Sequence, residues 1–378
     1  MDDNKRIIFV VNPISGTSGK AMILNLIENN LDKTKYDYDI IKTKYQGHAT
    51  EIAEQAVAQG IDIVCAIGGD GTVNEIAQSL VHTNTALAII PCGSGNGLAR
   101  HLHIPVDPVG AIKVINQGLT SHMDYGLINR HPFFCTCGVG FDAFISMKFA
   151  QAGKRGPVTY AENVLKNGLN YNPEKYEIDI FGENGGDEKE HKSYNAFLIS
   201  CANASQYGNN AYIAPMASVH DGLLDVTIIE PFNVIEAPQI AIQLFSGTID
   251  KNSLIKSFRC KKVKIRRKSP GAIHYDGDPI VVGKNIEVSI VPEGLLCVSP
   301  PTEGKKEVAD NIQGFLTEHF RDMYLKSEYA LQTNIQKTQR ITRLNKEILQ
   351  KLSNNVRNSV LPSSSSNDKD NVFDDSDS

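Results

Sequence analysis

The chain has 378 residues, which is enough for two packed domains and additional material. Its hydrophobic share of 41% is that of an ordinary globular protein, and its net charge of −5 argues against a nucleic-acid partner. The seven cysteines form no CxxC pair, so we expect reduced, buried thiols in a cytoplasmic protein. No apolar run approaches the roughly 18 residues of a membrane span, so we expect any membrane contact to be peripheral.

The first part of the chain alternates short apolar runs with amphipathic stretches. The apolar runs lie at 7–11, 38–41, 63–67 and 87–90. This alternation predicts an α/β domain with a largely parallel sheet over residues 1–125. Glycine-rich segments follow three of these runs, at the carboxyl ends of the predicted strands, where open α/β sheets bind ligands.

The first glycine-rich segment reads NPISGTSGK and covers residues 12–20. Its small residues would let backbone N–H groups approach a phosphate near a helix N-terminus. It is not a Walker A loop, because Ile14 stands where glycine is needed and Ala21 where the magnesium-binding Ser or Thr belongs. An ordinary strand-to-helix turn explains this segment equally well.

The second segment, GGDGTVNE at 68–75, is more informative. Three glycines let the backbone wrap closely around phosphate oxygens, and Asp70 lies among them. We expect Asp70 to position a magnesium–nucleotide pair, the alternative being a structural aspartate that caps a turn. A third loop, PCGSGNG at 91–97, again separates a strand from a helix. Three such loops at three strand ends predict a phosphate-binding site.

From about residue 124 the chain changes to short strand-like runs separated by turns. The runs lie at 127–128, 133–137, 176–181, 196–201, 224–229, 263–265 and 286–290. They predict a β-rich domain over 126–300, whose end can return to the first domain. GVGFDA at 138–143 fits a dinucleotide-binding pattern, but it lies at the entry to the β-rich part, which argues against a Rossmann site.

The remaining segments are polar. We interpret 182–191 as an exposed hairpin loop. Apolar residues at helical spacing predict a helical extension over 301–360. We expect it to pack on the body of the protein or on a second copy of the chain in a homodimer, rather than to lie in a membrane interface. Residues 361–378 form a serine-rich, acidic tail that we expect to be disordered. The basic run at 259–268 would suit anionic lipid, although a solvated strand is the favoured interpretation.

Together these motifs resemble those of the diacylglycerol kinase catalytic family, which includes sphingosine and ceramide kinases and soluble bacterial lipid kinases. The resemblance extends over roughly residues 5–300. It rests on NPISG at 12–16, GGDGTVNE at 68–75, PCGSGNGLA at 91–99, GVGFDA at 138–143, the stretch at 203–215, DGLLDV at 221–226 and YDGDP at 275–279. It implies an α/β fold: an NAD-kinase/diacylglycerol-kinase-like nucleotide-binding domain joined to a β-sandwich-like domain, with ATP and the lipid head group meeting in the cleft between them.

The resemblance also implies binding residues. The nucleotide contacts fall on Asn12, Pro13, Ile14, Ser15, Gly16, Thr43, Gly68, Gly69, Asp70, Gly71, Thr72, Val73, Asn74 and Ser94. A structural magnesium ion of the bacterial relatives maps to Ser218, Asp221 and Leu223. Leucine is acceptable in this set because backbone carbonyls can bind hard cations.

Phosphoryl transfer requires positioning, charge neutralisation and a carboxylate that orients or deprotonates the attacking hydroxyl. The family often supplies a glutamate from a DGE motif, which here reads Asp276-Gly277-Asp278. Asp278 is therefore the candidate base, and Asp276 or Asp70 are the alternatives. Taken alone, the same three residues also suit a hairpin turn.

These inferences predict an enzyme that uses ATP and Mg2+ and acts on a lipid alcohol at the membrane surface. Diacylglycerol, giving phosphatidic acid, is the first expectation. A sphingoid-base kinase is the second, because GSGNGLA at 93–99 is similar to sphingosine and ceramide kinases. An NAD kinase and a nucleotide-binding regulator without turnover remain as alternatives.

Overall fold

The computed structural model of the chain describes residues 4–14, 20–152, 168, 171–182, 189–233 and 235–301. These residues belong to one compact unit. Most of the loop predicted at 182–191 lies outside them, as do nearly all of the extension predicted at 301–360 and the whole tail predicted at 361–378.

The first domain alternates strands and helices, as its sequence predicts. Its elements are β1 (Lys5–Val11), α1 (Lys20–Asn30), β2 (Tyr36–Lys42), α2 (His48–Ala58), β3 (Ile63–Gly68), α3 (Asp70–Leu80), β4 (Ala86–Pro91), α4 (Gly97–His101) and α5 (Pro108–Gln117). The four strands run parallel in the order β2-β1-β3-β4. Every residue of β3 and β4 is buried, as expected for parallel strands covered by helices on both faces.

The second domain is a sandwich of antiparallel strands. Its elements are β5 (Thr120–Ile128), β6 (His131–Phe133), β7 (Thr136–Gly140), α6 (Phe141–Ala152), β8 (Glu174–Phe181), β9 (Lys189–Ala196), β10 (Leu198–Ala202), β11 (Leu224–Ile229), α7 (Ala237–Ser246), β12 (Ile255–Cys260), β13 (Lys262–Arg267), β14 (Gly271–Tyr275), β15 (Asp278–Val282) and β16 (Asn285–Val298). In the described chain, six of these strands form one sheet in the order β12-β11-β10-β7-β14-β15. Apolar side chains of this sheet and of β5, β8, β13 and β16 share one core. The predicted fold class, an α/β domain followed by a β-sandwich-like domain, is confirmed.

The long strand β16 joins the two domains. It pairs antiparallel with β13 and β5, and Cys297 near its end pairs parallel with Leu87 of β4. The parallel sheet of the first domain therefore continues into the second domain through β16. This shared sheet positions the turns of the second domain relative to the loops of the first.

Candidate active site

The three glycine-rich loops begin at one edge of the parallel sheet. In the strand registers, Val11 lies beside Ile67, and Gly68 lies beside Pro91. The side-chain amide of Asn12 donates to Thr72 Oγ1 at 3.0 Å, which joins the first loop to the second. The sequence-based expectation that the strand ends would bring these loops together matches this geometry.

Close backbone packing explains the glycines of the second and third loops. A Cβ atom on Gly69 would lie 3.1 Å from the Cα atom of Gly93, and one on Gly93 would lie 2.6 Å from that of Gly69. A Cβ atom on Gly68 would lie 2.5 Å from Thr72. The backbones of the two loops therefore touch, which no larger residue would allow without a shift of the chain.

Asp70 links the second loop to the third. Its carboxylate accepts hydrogen bonds from the backbone N–H groups of Asn96, at 2.9 Å, and Gly97, at 2.6 Å. Burial raises the pKa of Asp70, and these two N–H groups oppose the rise. Each carboxylate oxygen can accept a second contact, so Asp70 can still face a cation or a water molecule while it shapes the loops.

Of the other predicted nucleotide contacts, Ile14, Thr43 and Ser94 are among the described residues. Thr43 follows β2, and its N–H group donates to Val11 O at 2.9 Å, so it lies beside Asn12. Ser94 is exposed between the two loop glycines, and Ile14 is 84% exposed. Ser15 and Gly16 lie outside the described residues.

Lys20 is a residue that the sequence reasoning did not select. It is the first residue of α1, and its Nζ atom is buried with no hydrogen-bond partner among the described residues. Burial raises the pKa of the Cys92 thiol in the third loop, and the ammonium group of Lys20 opposes this rise. A thiol is a weak acceptor, so the ammonium group has no strong acceptor among the described residues. The sequence signal that could have identified Lys20 is the Gly19-Lys20 pair at the start of a helix.

The DGD motif forms a two-residue hairpin turn between β14 and β15. Tyr275 pairs with Asp278, and φ is 47° at Asp276 and 89° at Gly277. Two consecutive positive φ angles are those of a type I′ turn. The two carboxylates of this turn have different surroundings.

The carboxylate of Asp276 is enclosed by donors. It accepts from the N–H groups of Phe134 at 2.7 Å, Cys135 at 2.8 Å and Thr136 at 3.0 Å, and from Asn74 Nδ2 at 2.8 Å. These four bonds fill the acceptor positions of the carboxylate. Burial raises the pKa of Asp276, and the four donors oppose the rise. Through Asn74, Asp276 fixes the hairpin to α3 of the first domain.

Asp278, by contrast, is exposed at the start of β15. It follows Asp276 by two residues, so the anchored turn also fixes the backbone of Asp278. Burial, and then the charge of Asp278, raises the pKa of the neighbouring Tyr275. Of the three residues whose carboxylates are predicted for catalysis, Asp278 is the exposed one.

The residues predicted to hold a structural magnesium ion lie in a turn before β11. Asp221 accepts the N–H group of Leu223 at 3.1 Å, and Ser218 Oγ accepts that of His220 at 3.3 Å. The guanidinium of Arg259 contacts the Asp221 carboxylate directly. As folded, this turn does not fit a divalent cation, because the negative charge of Asp221 is already paired.

The GVGFDA motif has a structural explanation. A Cβ atom on Gly138 would lie 2.4 Å from the Asp142 carboxylate, and Gly140 has a φ of 94°. Asp142 is buried, contacts His274 Nε2 at 3.0 Å and accepts the N–H group of Ala143 at 2.7 Å. His274 lies in β14, immediately before the hairpin turn. The motif therefore supports β14, and it is not a dinucleotide loop.

The basic run at 259–268 lies largely in the sheets. Lys262 and Lys264 both pair with Glu287 on the neighbouring strand, the latter at 3.4 Å, and Arg266 pairs with Asp179 at 2.7 Å. Arg267 is buried and donates to backbone carbonyls of the following hairpin. These contacts agree with the strand interpretation of the run.

The fold and the site together define a two-domain protein in which a turn of the second domain is hydrogen-bonded to α3, in the second glycine-rich segment of the first domain. The diacylglycerol kinase catalytic domain model matches residues 6–128. The YegS C-terminal NAD kinase beta sandwich-like domain model matches residues 135–298. The chain therefore belongs to the diacylglycerol kinase catalytic-domain family, and it is an enzyme of the lipid kinase class.

Curated relatives agree with this assignment. The chain is 28% identical to a probable lipid kinase YegS-like of Chromohalobacter salexigens, over 68% of this chain and 81% of the relative. It is 27% identical to a diacylglycerol kinase of Staphylococcus epidermidis, over 72% of this chain and 86% of the relative. An uncharacterised protein of Synechocystis is 28% identical, over 77% of this chain and 69% of its own length.

A solved structure shares the fold. A diacylglycerol kinase from Bacillus anthracis superimposes with a TM-score of 0.60 at 19% identity, covering 80% of this chain and 98% of that one. At this identity the likeness concerns the fold alone.

Proposed function

We propose that this chain transfers the γ-phosphate of magnesium–ATP to the hydroxyl group of diacylglycerol, giving phosphatidic acid and ADP. The observation that carries the proposal is the 2.8 Å hydrogen bond between Asn74 and Asp276, which joins the nucleotide loops to the DGD hairpin. Asp278 follows Asp276 by two residues in this hairpin, which supports a role for its exposed residue near the loops. Relatives named diacylglycerol kinase and lipid kinase support the choice of acceptor.

Asp278 is the proposed general base. The acceptor hydroxyl oxygen attacks the γ-phosphorus, the bond from that phosphorus to the β-phosphate oxygen breaks, and Asp278 takes the hydroxyl proton. Its carboxylate is exposed, whereas the four hydrogen bonds at Asp276 leave that carboxylate no acceptor position for a substrate proton. General bases of this kind commonly contribute 10²- to 10⁴-fold in rate, a rough range.

The loops are proposed to bind the phosphates of ATP. Backbone N–H groups at their glycines and at the start of α3 can face phosphate oxygens. Lys20 would neutralise phosphate charge, since its buried ammonium lies near the Cys92 thiol, which is a weak acceptor. Magnesium would arrive with the nucleotide and meet the remaining acceptor positions of Asp70.

Substitutions that remove or keep the positive charge of Lys20 test its proposed role in binding ATP. Lys20→Met should lower kcat/KM for ATP by about 10- to 100-fold, the usual loss for a hydrogen bond to a charged group. Lys20→Arg should retain part of the activity. Lys113→Met, at an exposed position of α5, is the matched control and should leave kcat/KM unchanged. Equal values for Lys20→Met and wild type would remove Lys20 from the nucleotide site.

We propose that contact with the lipid substrate is peripheral. No helix in the described ranges is long and apolar enough to cross a bilayer. Sedimentation with vesicles containing diacylglycerol tests this proposal. Protein that stays in the supernatant, while it phosphorylates short-chain diacylglycerol in solution, would contradict it.

The activity itself is tested by phosphate transfer from labelled ATP to diacylglycerol, sphinganine and NAD, each assayed separately with magnesium. Labelled phosphatidic acid is the expected result. Labelled sphinganine phosphate would select the sphingoid-base alternative, to which the third loop is similar. Labelling of NAD alone, or of no acceptor, would overturn the proposal.

A further inference from the structure

In the turn at residues 218–223, the negative charge of Asp221 is neutralised by the side chain of Arg259. Asp225 of β11 lies directly opposite Arg259 of β12 in the antiparallel pair. The Nε atom of Arg259 lies 3.5 Å from Asp225 Oδ2, and its Nη2 atom contacts Asp221 Oδ2. One guanidinium therefore lies between two carboxylates that would otherwise repel each other.

This ion group is partly shielded from solvent. The side chain of Asp225 is 14% exposed, that of Asp221 27% and that of Arg259 39%. A charged pair at this depth is screened less than one on the open surface. Removing the guanidinium would leave two carboxylates with uncompensated charge.

The turn is also connected to the active-site hairpin. The N–H group of Gly222 donates to Asp124 Oδ2 at 2.7 Å. The side-chain amide of Asn203 donates to the carbonyls of Asp124, at 2.8 Å, and of Phe134, at 2.9 Å. The N–H group of Phe134 donates to Asp276 at 2.7 Å. A continuous series of contacts therefore runs from Arg259 to the hairpin.

We infer that Arg259 is a built-in cation that holds this turn in place of a bound divalent metal. A guanidinium has the charge and the donors to join two carboxylates, and it stays protonated at all physiological pH values. The fold of this chain would then need no structural metal ion.

Thermal unfolding without nucleotide tests the inference independently of the proposed kinase activity. Wild-type protein treated with EDTA should have the same Tm as protein in millimolar Mg2+. Arg259→Gln in EDTA should have a Tm lower by about 3 °C or more, and Mg2+ should restore part of this loss, because the two carboxylates can then bind it. Arg259→Lys should retain most of the wild-type Tm without metal.

The matched control is Lys256→Gln, which removes one positive charge from the same strand, at a residue 3.8 Å from Glu230. Its Tm should not respond to Mg2+. A wild-type Tm that falls with EDTA and recovers with Mg2+ would overturn the inference, since a metal ion would then hold the turn. An unchanged Tm for Arg259→Gln would overturn it as well. If Arg259→Gln does not fold, the wild-type and Arg259→Lys measurements decide.

Discussion

Two Asp-Gly turns of the second domain use the same dipeptide in different ways. Asp221-Gly222 and Asp276-Gly277 both place glycine at positive φ, 68° and 89°. The carboxylate of Asp276 is satisfied by four backbone and amide donors, whereas that of Asp221 is satisfied by one backbone N–H group and a guanidinium. One turn is fixed by main-chain dipoles and the other by an ion pair. The Asp-Gly dipeptide sets the backbone conformation of each turn. Residues distant in the sequence provide the partners of its carboxylate.

The largest expected difference between the turns is in how much free energy of unfolding the protein loses when the aspartate is replaced. Asp276→Ala would leave three backbone N–H groups and an amide without their acceptor, each costing about 1–3 kcal/mol, so we expect a loss of at least about 4 kcal/mol. Asp221→Ala breaks a partly exposed ion pair and should cost about 1 kcal/mol. Urea unfolding of both variants measures the difference. Equal losses would mean that the two turns do not differ as described.

The second prediction separates the two carboxylates of the hairpin. Asp278→Asn should lower kcat by about 10²- to 10⁴-fold while changing the unfolding free energy by less than about 0.5 kcal/mol, because the side chain is exposed. Asp250→Asn, in the exposed turn after α7, is the matched control and should retain full kcat. A kcat of Asp278→Asn within twofold of wild type would assign the base to another group.

The third prediction concerns the glycines of the two turns, whose substitution should lower stability by the same amount in both. A Cβ atom on Gly277 would meet nothing within 4 Å, and one on Gly222 would lie 3.8 Å from Pro292 Cγ. Gly→Ala at either position therefore tests backbone strain without a clash. Each should cost about 1–2 kcal/mol, the usual penalty for an L-residue in the left-handed region. A clearly larger cost at one glycine would show that its turn has less freedom to relax.

The last effect, which appears only at alkaline pH, concerns a thiol beside each turn. Burial raises the pKa of Cys135, next to the hairpin, and that of Cys260, next to Arg259. The native state then holds the thiol proton more tightly than the unfolded state, whose thiols ionise near about pH 8.5. Their contribution to stability is complete below that pH and falls as pH rises, by up to about 1.4 kcal/mol per pH unit for each thiol.

The measurement is urea unfolding of wild type, Cys135→Ala and Cys260→Ala between neutral and alkaline pH. The free energy of unfolding of each variant should fall less steeply with rising pH than that of wild type. The difference in slope should correspond to one proton. A slope equal to that of wild type would mean that the thiol ionises as easily in the native state as in the unfolded chain.

Local patterns were sufficient to predict much of the fold. The alternation of apolar runs predicted the parallel strands, and the positions of the glycine-rich segments predicted the edge where Asn12 meets Thr72. The helix α5 was not predicted, although it has local signals: Asp107 accepts the N–H group of Gly110 at 2.7 Å, Pro108 begins the helix, and Gly118 follows its end.

The finer chemistry depends on long-range contacts that a sequence pattern does not contain. Asp276 meets Asn74 across 202 positions of the chain, and Arg259 meets Asp221 across 38. Whether a carboxylate is enclosed by donors, as at Asp276, or belongs to an exposed residue, as at Asp278, is decided only when the strands assemble. The buried ammonium of Lys20 is a further case, because burial depends on how neighbouring loops close over a side chain.

The pairing of β16 with β4 has a consequence for the order of folding. Before residues 285–298 leave the ribosome, β4 is an unpaired edge of a hydrophobic parallel sheet. Open strand edges of this kind favour association with other chains. The first domain therefore depends on the last strand of the second for its completion, and a nascent chain must wait for nearly 300 residues of synthesis before that edge is covered. The sheet of the first domain is therefore completed only after the second domain has been synthesised.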